Sequence, residues 1–351
     1  MRCRVRYCGG RGISRSFQMR LVQISNAGER RVARVDGDTL RLLDSRWADI
    51  YSLALHVASE GGSLIDAVTA ADGRAILDYA AVYEGQSPWH LLPAFDHPSD
   101  AAHCMVSGTG LTHKASAENR AAMHKETSAE VTDSAKMYKM GLEGGSPAPG
   151  QIGVQPEWFY KGDGSILRAH GEELCTPPYG WDGGEEPEVA GAYVVSREGL
   201  PFRVGLMIGN EFSDHKMEKK NYLYLAPSKL RNCSVGPELT VGDTPFEDVT
   251  GTVSVMRGGA TLWTKKIWTG RKNMCHTVEN LEHHHFKYEA HRQPGHVHIH
   301  FFGADAFSFG EGISLENGDV MEISFPQFGR TLRNPVRVQA GPEALLKVPA
   351  L

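Results

Sequence analysis

The sequence has no apolar run approaching the roughly 20 residues that a helix needs to cross a bilayer, and no Cys-x-x-Cys pair. Its six cysteines (Cys3, Cys8, Cys104, Cys175, Cys233, Cys275) are scattered. They read as the reduced thiols of a cytoplasmic protein, not as a disulfide frame. An excess of positive charge is missing too. The formal net charge is -5, which gives no general pull toward nucleic acid or an anionic membrane. There is no G-x-S-x-G nucleophile elbow, no phosphate-binding P-loop and no G-x-G-x-x-G after a strand, so three common chemistries lack their signature. "SGTG" at Ser107–Gly110 is too short to imply phosphate binding. Internal repeats and low-complexity tracts are absent as well.

The chain has 351 residues, 41% of them hydrophobic and 23% charged, enough for one large or two ordinary globular domains. Its 39 glycines suit a β protein with tight turns. Met1–Ser16 holds five arginines and no acid. Lacking an apolar core, it is no secretory signal, and residues 1–18 are expected to be a disordered leader ahead of a first strand at "MRLVQI". Arg20–Asp44 alternates apolar and polar residues about the turn "DGD" at Asp36–Asp38, the mark of a small β unit. Ser45–Gly85 changes to three-and-four spacing, predicting two or three helices, one of them over "RAILDYAAVYEG". Residues 19–100 thus form a small α/β module. From 101 to 351, strands dominate ("AGAYVVS", "RVGLMIGN", "VTGTVSVMRGG", "HVHIHFFG", "DVMEISFP"), with a helix expected over His276–His291.

Three acidic positions carry the candidate chemistry. Glu186 and Glu188 flank Pro187 in "DGGEEPEVAGAYVV", two apart at a strand entrance, where side chains share a face. Glu211 follows the next strand in "GNEFSDH". Three carboxylates suit Mg²⁺ or Mn²⁺ better than zinc; the plain alternative is a solvated acidic turn and an unrelated glutamate. Lys161, after "PEWFY", and Lys229, in "APSKLRNCS", are candidates for holding a carboxylate or keto oxygen or acting as a base, although most lysines are surface charges. His296, His298 and His300 alternate in "HVHIH". That pattern fits either a cupin-like metal site, as in an iron oxygenase, or imidazoles packed inside a polar β structure.

Taken together these blocks resemble the fumarylacetoacetate hydrolase superfamily. "EEPEVAGAYVV" is similar to its E-x-E strand, "GLMIGNEFSDH" to its G-N-D-x-S segment and "SKLRNCSVGP" to its lysine-to-GP segment. "GDVMEISFPQFGRTLRNPV" is similar to its closing strands, and "PEWFYKG" to the segment bearing its first lysine. The five occur in family order across residues 105–336. "EKKNYLYLAPSK" and "GTGLTHKASAENR" bring the chain nearest to the 2-keto-3-deoxy sugar-acid dehydratases. In the second stretch Ser116 stands where the hydrolase branch carries a water-activating histidine, which argues against carbon–carbon hydrolysis of a 2,4-diketo acid.

The resemblance implies a mostly β, α+β fold: a mixed β-roll or barrel catalytic domain behind the N-terminal module. It implies Mg²⁺ or Mn²⁺ held by Glu186, Glu188 and Glu211, the last replacing the usual Asp. Lys161 and Lys229 become the active-site lysines, and Ser213, Gly303 and Ala304 the substrate contacts, although Ala304 stands where a threonine is usual. The histidine strand then takes a supporting role. The implied reaction is dehydration of a 2-keto-3-deoxypentonate to 2,5-dioxopentanoate, with Lys229 on the enolate oxygen and His113 or Glu143 as further base candidates. A homodimer with a small-molecule substrate and no nucleic-acid or membrane partner is expected.

Overall fold

The structure, a computed structural model, describes residues 18–118 and 132–351; the expected leader lies outside them up to residue 17. The chain begins with β1 (Gln18–Asn26), β2 (Glu29–Asp36), β3 (Thr39–Leu43), β4 (Asp72–Asp78) and β5 (His90–Leu91). β6 (Cys104–Gly108), β7 (Phe159–Asp163), β8 (Leu167–Arg168) and β9 (Leu174–Thr176) follow. Next come the long strands β10 (Pro187–Val195), β11 (Pro201–Asn210) and β12 (Cys233–Gly242), then β13 (Val249–Arg257) and β14 (Ala260–Thr269). β15 (Val297–Phe301), β16 (Val320–Ser324) and β17 (Leu332–Val338) complete the set.

Two sheets result. The larger runs β4-β3-β2-β1-β12-β11-β10-β15-β6-β7, with β5 added to β1 and β8 to β12. The smaller runs β14-β13-β16-β17-β9. Each ends on two different strands, so of the expected roll or barrel neither sheet closes into a barrel. Turn chemistry fixes the hairpins. Gly258 and Gly259 both take positive φ, 60° and 81°, between β13 and β14, the pattern a two-residue turn demands when it must match strand twist.

The cores explain the burial patterns. All nine residues of β10 are buried, because one face meets the apolar cluster around Leu53, Val68 and Met207. Its other face meets the cluster around Val253, Ile323 and Phe325 on the smaller sheet. A strand covered on both faces reads as a continuous apolar run. β13 has one free face and alternates instead. Helices α1 (Ile50–Glu60) and α2 (Leu64–Ala70) cover the first cluster, α1 starting where the Asp49 carboxylate accepts from the Ser52 amide. Among the described residues no helix is long and apolar enough to cross a membrane.

One expected helix is replaced. "RAIL" pairs as β4 with β3, Thr39↔Asp78 and Leu40↔Leu77, and only Tyr79–Tyr83 is helical (α3). The cause is Gly73, whose missing Cβ leaves room for the Leu42 carbonyl at 2.5 Å from where it would stand. Three further helices lie among the strands of the C-terminal part: α4 (Asp133–Gly144), α5 (His215–Lys220) and α6 (Leu225–Lys229). The helix expected over His276–His291 forms as α7 (Val278–Phe286) plus a single turn at Glu289–His291.

Candidate metal centre

β10 and β11 are antiparallel with Pro187 opposite Asn210, so Glu186 and Glu211 sit just beyond adjacent strand ends. The ladder continues past the strands: the Glu211 amide donates to the Glu186 carbonyl at 3.0 Å, and Gly184 bridges Ser213. This pairing brings Glu211 to the Glu186–Glu188 edge. One carboxylate oxygen from each of Glu186, Glu188 and Glu211 lies within 4.8 Å of the others, and all three residues are buried.

Both lysines enter the same cluster. Lys229, at the end of α6, places its Nζ 2.6 Å from Glu186 Oε1 and 2.5 Å from Glu211 Oε2, and donates to Ser213 Oγ at 3.1 Å. Its ammonium also lies 4.8 Å from the centroid of the Phe159 ring. Lys161, on β7, pairs with Glu211 Oε1 at 2.5 Å and donates to the carbonyls of Phe212 and Lys229 at 2.7 and 3.1 Å. Its three protons therefore all have protein acceptors. Lys161 orients Glu211 here, which differs from the direct substrate-carboxylate contact considered from sequence.

The electrostatics are those of a site built for a cation. Burial raises the Glu186 carboxyl, but the charge of Lys229 and the hydrogen bond from His215 more than offset it and hold the group well below the usual range. Glu188 goes the other way. Burial, then repulsion from Glu211 and Glu186, pushes its carboxyl well above the ordinary value, although the Gly303 amide donates to its Oε2 at 2.6 Å. Three hard oxygen donors converge in a buried cluster, and one is forced toward neutrality by burial and by its neighbours. A divalent cation relieves that repulsion, and an all-oxygen set fits Mg²⁺ or Mn²⁺.

Several contributing residues were not singled out from sequence. His215 Nε2 donates to Glu186 Oε1, 3.1 Å away, and its ring stacks on Phe307 at 4.7 Å and Phe309 at 5.2 Å. Asp214 caps α5 through the Met217 amide and pairs with Arg231 at 2.9 Å. Glu185 binds Ser308 through both carboxylate oxygens. The signal available for His215 was its place four residues after Glu211 in "NEFSDH".

The histidine strand lies elsewhere. Cross-strand pairs share a sheet face, and His300 pairs with Gly191 and His298 with Tyr193. Glu188 alternates with those two positions on β10, so it lies on the opposite face. His298 Nδ1 meets His285 Nε2 at 2.9 Å; His300 is held by Ser107 and Thr109 at 2.9 and 2.8 Å. His296 faces His103. The three imidazoles do not converge on a common point. His113 is also structural in its bonding: its ring nitrogens contact Thr112 and Thr269 at 2.8 and 3.0 Å. Glu143 is exposed on α4 beside Lys139. Ser116 is buried.

No protein-family model and no curated protein matches the chain. Solved structures do. A 2-keto-3-deoxyarabinonate dehydratase superposes with a TM-score of 0.70 at 20% identity, over 92% of this chain and all of the other. A 2-keto-3-deoxy-D-arabinonate dehydratase complexed with magnesium and 2,5-dioxopentanoate gives 0.66 at 20% identity over the same shares. The 5-carboxymethyl-2-hydroxymuconate delta-isomerase of Mycobacterium smegmatis gives 0.54 at 17%, again over 92% of this chain and all of that one. At these identities the likeness is one of fold.

Proposed function

We propose that this chain, which has the fumarylacetoacetate hydrolase-type fold, is a divalent-metal-dependent hydro-lyase of that superfamily acting on a 2-keto-3-deoxy sugar acid. The observation that carries the reading is the buried triad Glu186, Glu188 and Glu211 with the Lys229 ammonium set between two of its members. The leading reaction is 2-keto-3-deoxypentonate to 2,5-dioxopentanoate, in keeping with the product in the magnesium complex of the structural relative.

Glu186, Glu188 and Glu211 would hold Mg²⁺ or Mn²⁺, which would act as a Lewis acid toward a bound 2-keto acid and so acidify its C3 protons. The protein's own groups do the rest. Lys229, fixed by Glu186, Glu211 and Ser213, presents positive charge where the C2 oxygen becomes negative. Lys161 keeps Glu211 aimed through its ion pair and two carbonyl contacts. The C3 proton passes to a base and the C4 hydroxyl leaves with a proton, so one water is lost. A C5 proton then moves to C3, and the resulting enol becomes the aldehyde. Burial of the cluster keeps bulk water from these charges.

Ser116 favours elimination over the hydrolytic alternative, since no imidazole stands at that position to activate water. We further propose a cytoplasmic homodimer. The described cysteines Cys104, Cys175, Cys233 and Cys275 are unpaired, and two-fold dimers are the commonest soluble assembly. Light scattering that gives a monomer at micromolar concentration rejects the dimer. The functional test is Mg²⁺-loaded enzyme supplied with each enantiomer of 2-keto-3-deoxypentonate, with products weighed by mass spectrometry. A product 18 mass units lighter (the loss of one water) supports the reading, and unchanged substrate for both enantiomers sinks it.

A further inference from the structure

The carboxylate immediately before the triad does something different from its neighbours. Glu185 is fully buried, and so is Ser308 apart from a trace. The Ser308 amide donates to Glu185 Oε1 at 2.6 Å, and the Ser308 hydroxyl to Oε2 at 2.9 Å. A carboxylate removed from water needs donors, and Glu185 draws two of them from one residue 123 positions away. Three residues further on, Glu188 accepts from the Gly303 amide. The 303–308 loop is therefore gripped at both ends by one short peptide. Between those grips, Phe307 stacks on His215 within 7° of parallel, and His215 contacts Glu186. A third tie comes from Asp305, which accepts the Trp268 amide at 3.1 Å.

We propose that Glu185 and Ser308 form a latch that holds the Gly303–Ser308 loop against the carboxylate cluster, making Glu185 a positioning residue for substrate rather than a fourth metal ligand. This rests on the functional reading above insofar as the loop faces the substrate. Each oxygen of Glu185 accepts from Ser308, and Glu185 is absent from the triad whose ligand atoms meet. The latch fixes the loop in the resting enzyme, so substrate binding does not have to order it. Ordering backbone on binding has an entropic cost, which an unlatched loop would take from substrate affinity.

The test compares Glu185→Ala, Glu185→Gln and Ser308→Ala. Glutamine keeps one oxygen for the Ser308 amide, and its NH₂ donates to the hydroxyl, so it should recover most of what alanine loses. Glu185→Ala is expected to raise KM about tenfold with kcat and Mn²⁺ affinity within about threefold, the signature of lost substrate positioning. In Ser308→Ala, which keeps the amide bond to Glu185 and loses the hydroxyl one, amides 303–309 should exchange about threefold faster than in the wild type, since one of two local tethers has been cut. That exchange readout needs no activity, so it stands even if the assigned reaction is wrong, and it stands if Glu185→Ala does not fold. A loss of Mn²⁺ binding in folded Glu185→Ala overturns the proposal by making Glu185 a ligand. Wild-type exchange in Ser308→Ala overturns it by making the loop independent of the latch.

Discussion

Lys161 and Glu211 form an ion pair of 2.5 Å with both side chains wholly out of solvent. Neither charge has water to fall back on, so each depends on the other. Removing one member of such a pair typically costs about 3–5 kcal/mol, because the survivor is left uncompensated. Lys161→Met should fall toward the lower end of that range, since Lys229 also reaches Glu211. Urea unfolding of the metal-free protein measures it directly, and an unchanged midpoint would show the pair to be energetically idle.

Glu186→Gln, Glu188→Gln and Glu211→Gln should each leave a folded protein with Mn²⁺ affinity reduced beyond about 100-fold, more than the loss seen when only a supporting group is changed. EDTA should abolish wild-type turnover and Mg²⁺ or Mn²⁺ restore it. Titration calorimetry and a rescue assay read both effects. Full turnover after exhaustive chelation contradicts the metal assignment outright.

The histidine strand tests the competing metal centre. His298→Ala and His300→Ala should keep wild-type metal content while losing about 1–3 kcal/mol of stability, as expected when buried hydrogen-bond partners are left unsatisfied. Elemental analysis decides. Iron or zinc in the wild type, stripped by both substitutions, would falsify the carboxylate site and restore the cupin-like reading.

Acid stability should report the buried imidazoles. Burial pushes His113 and His300 down to about 3, whereas the unfolded chain titrates near the ordinary 6.5. Below 6.5 the unfolded state binds protons that the folded state refuses. The stabilisation is therefore complete above about pH 7 and drains as pH falls toward the folded values. Each residue should cost roughly 2 kcal/mol between pH 7 and pH 5. His113→Asn should flatten the urea midpoint against pH by that amount; an unaltered slope rejects the assignment.

Strand identities and the order of the motif blocks were readable from the sequence because β-branched runs and turn glycines act locally. The carboxylate pair was readable for the same reason, since a spacing of two at a strand entrance fixes a shared face. Glu211 needed more, because its approach depends on the β10–β11 register. Glu185 and Ser308 were not legible at all, and His215 only through its place four residues after Glu211. Their partners lie 29 and 123 positions away, and no periodicity encodes a contact between two loops. The "RAIL" segment misled for a related reason: its helical spacing lost to the space that Gly73 opens beside Leu42, which exists only after β3 has formed.

The pairing of β1 with β12 has a consequence for how the molecule is made. Leu21 lies opposite Leu239, so β1 waits for a strand synthesised more than two hundred residues later. At about 5–20 residues per second that interval is roughly 10–45 s. Throughout it, β1 can pair with β2 and, at Ile24 and Ser25, with β5, but its Gln18–Leu21 stretch shows an unfilled hydrogen-bonding edge, the kind of edge that recruits strands from other chains. Long-range closure of this sort also slows the final folding step. Yield during expression should therefore depend on nascent-chain protection and on temperature more than the stability of the finished protein would suggest.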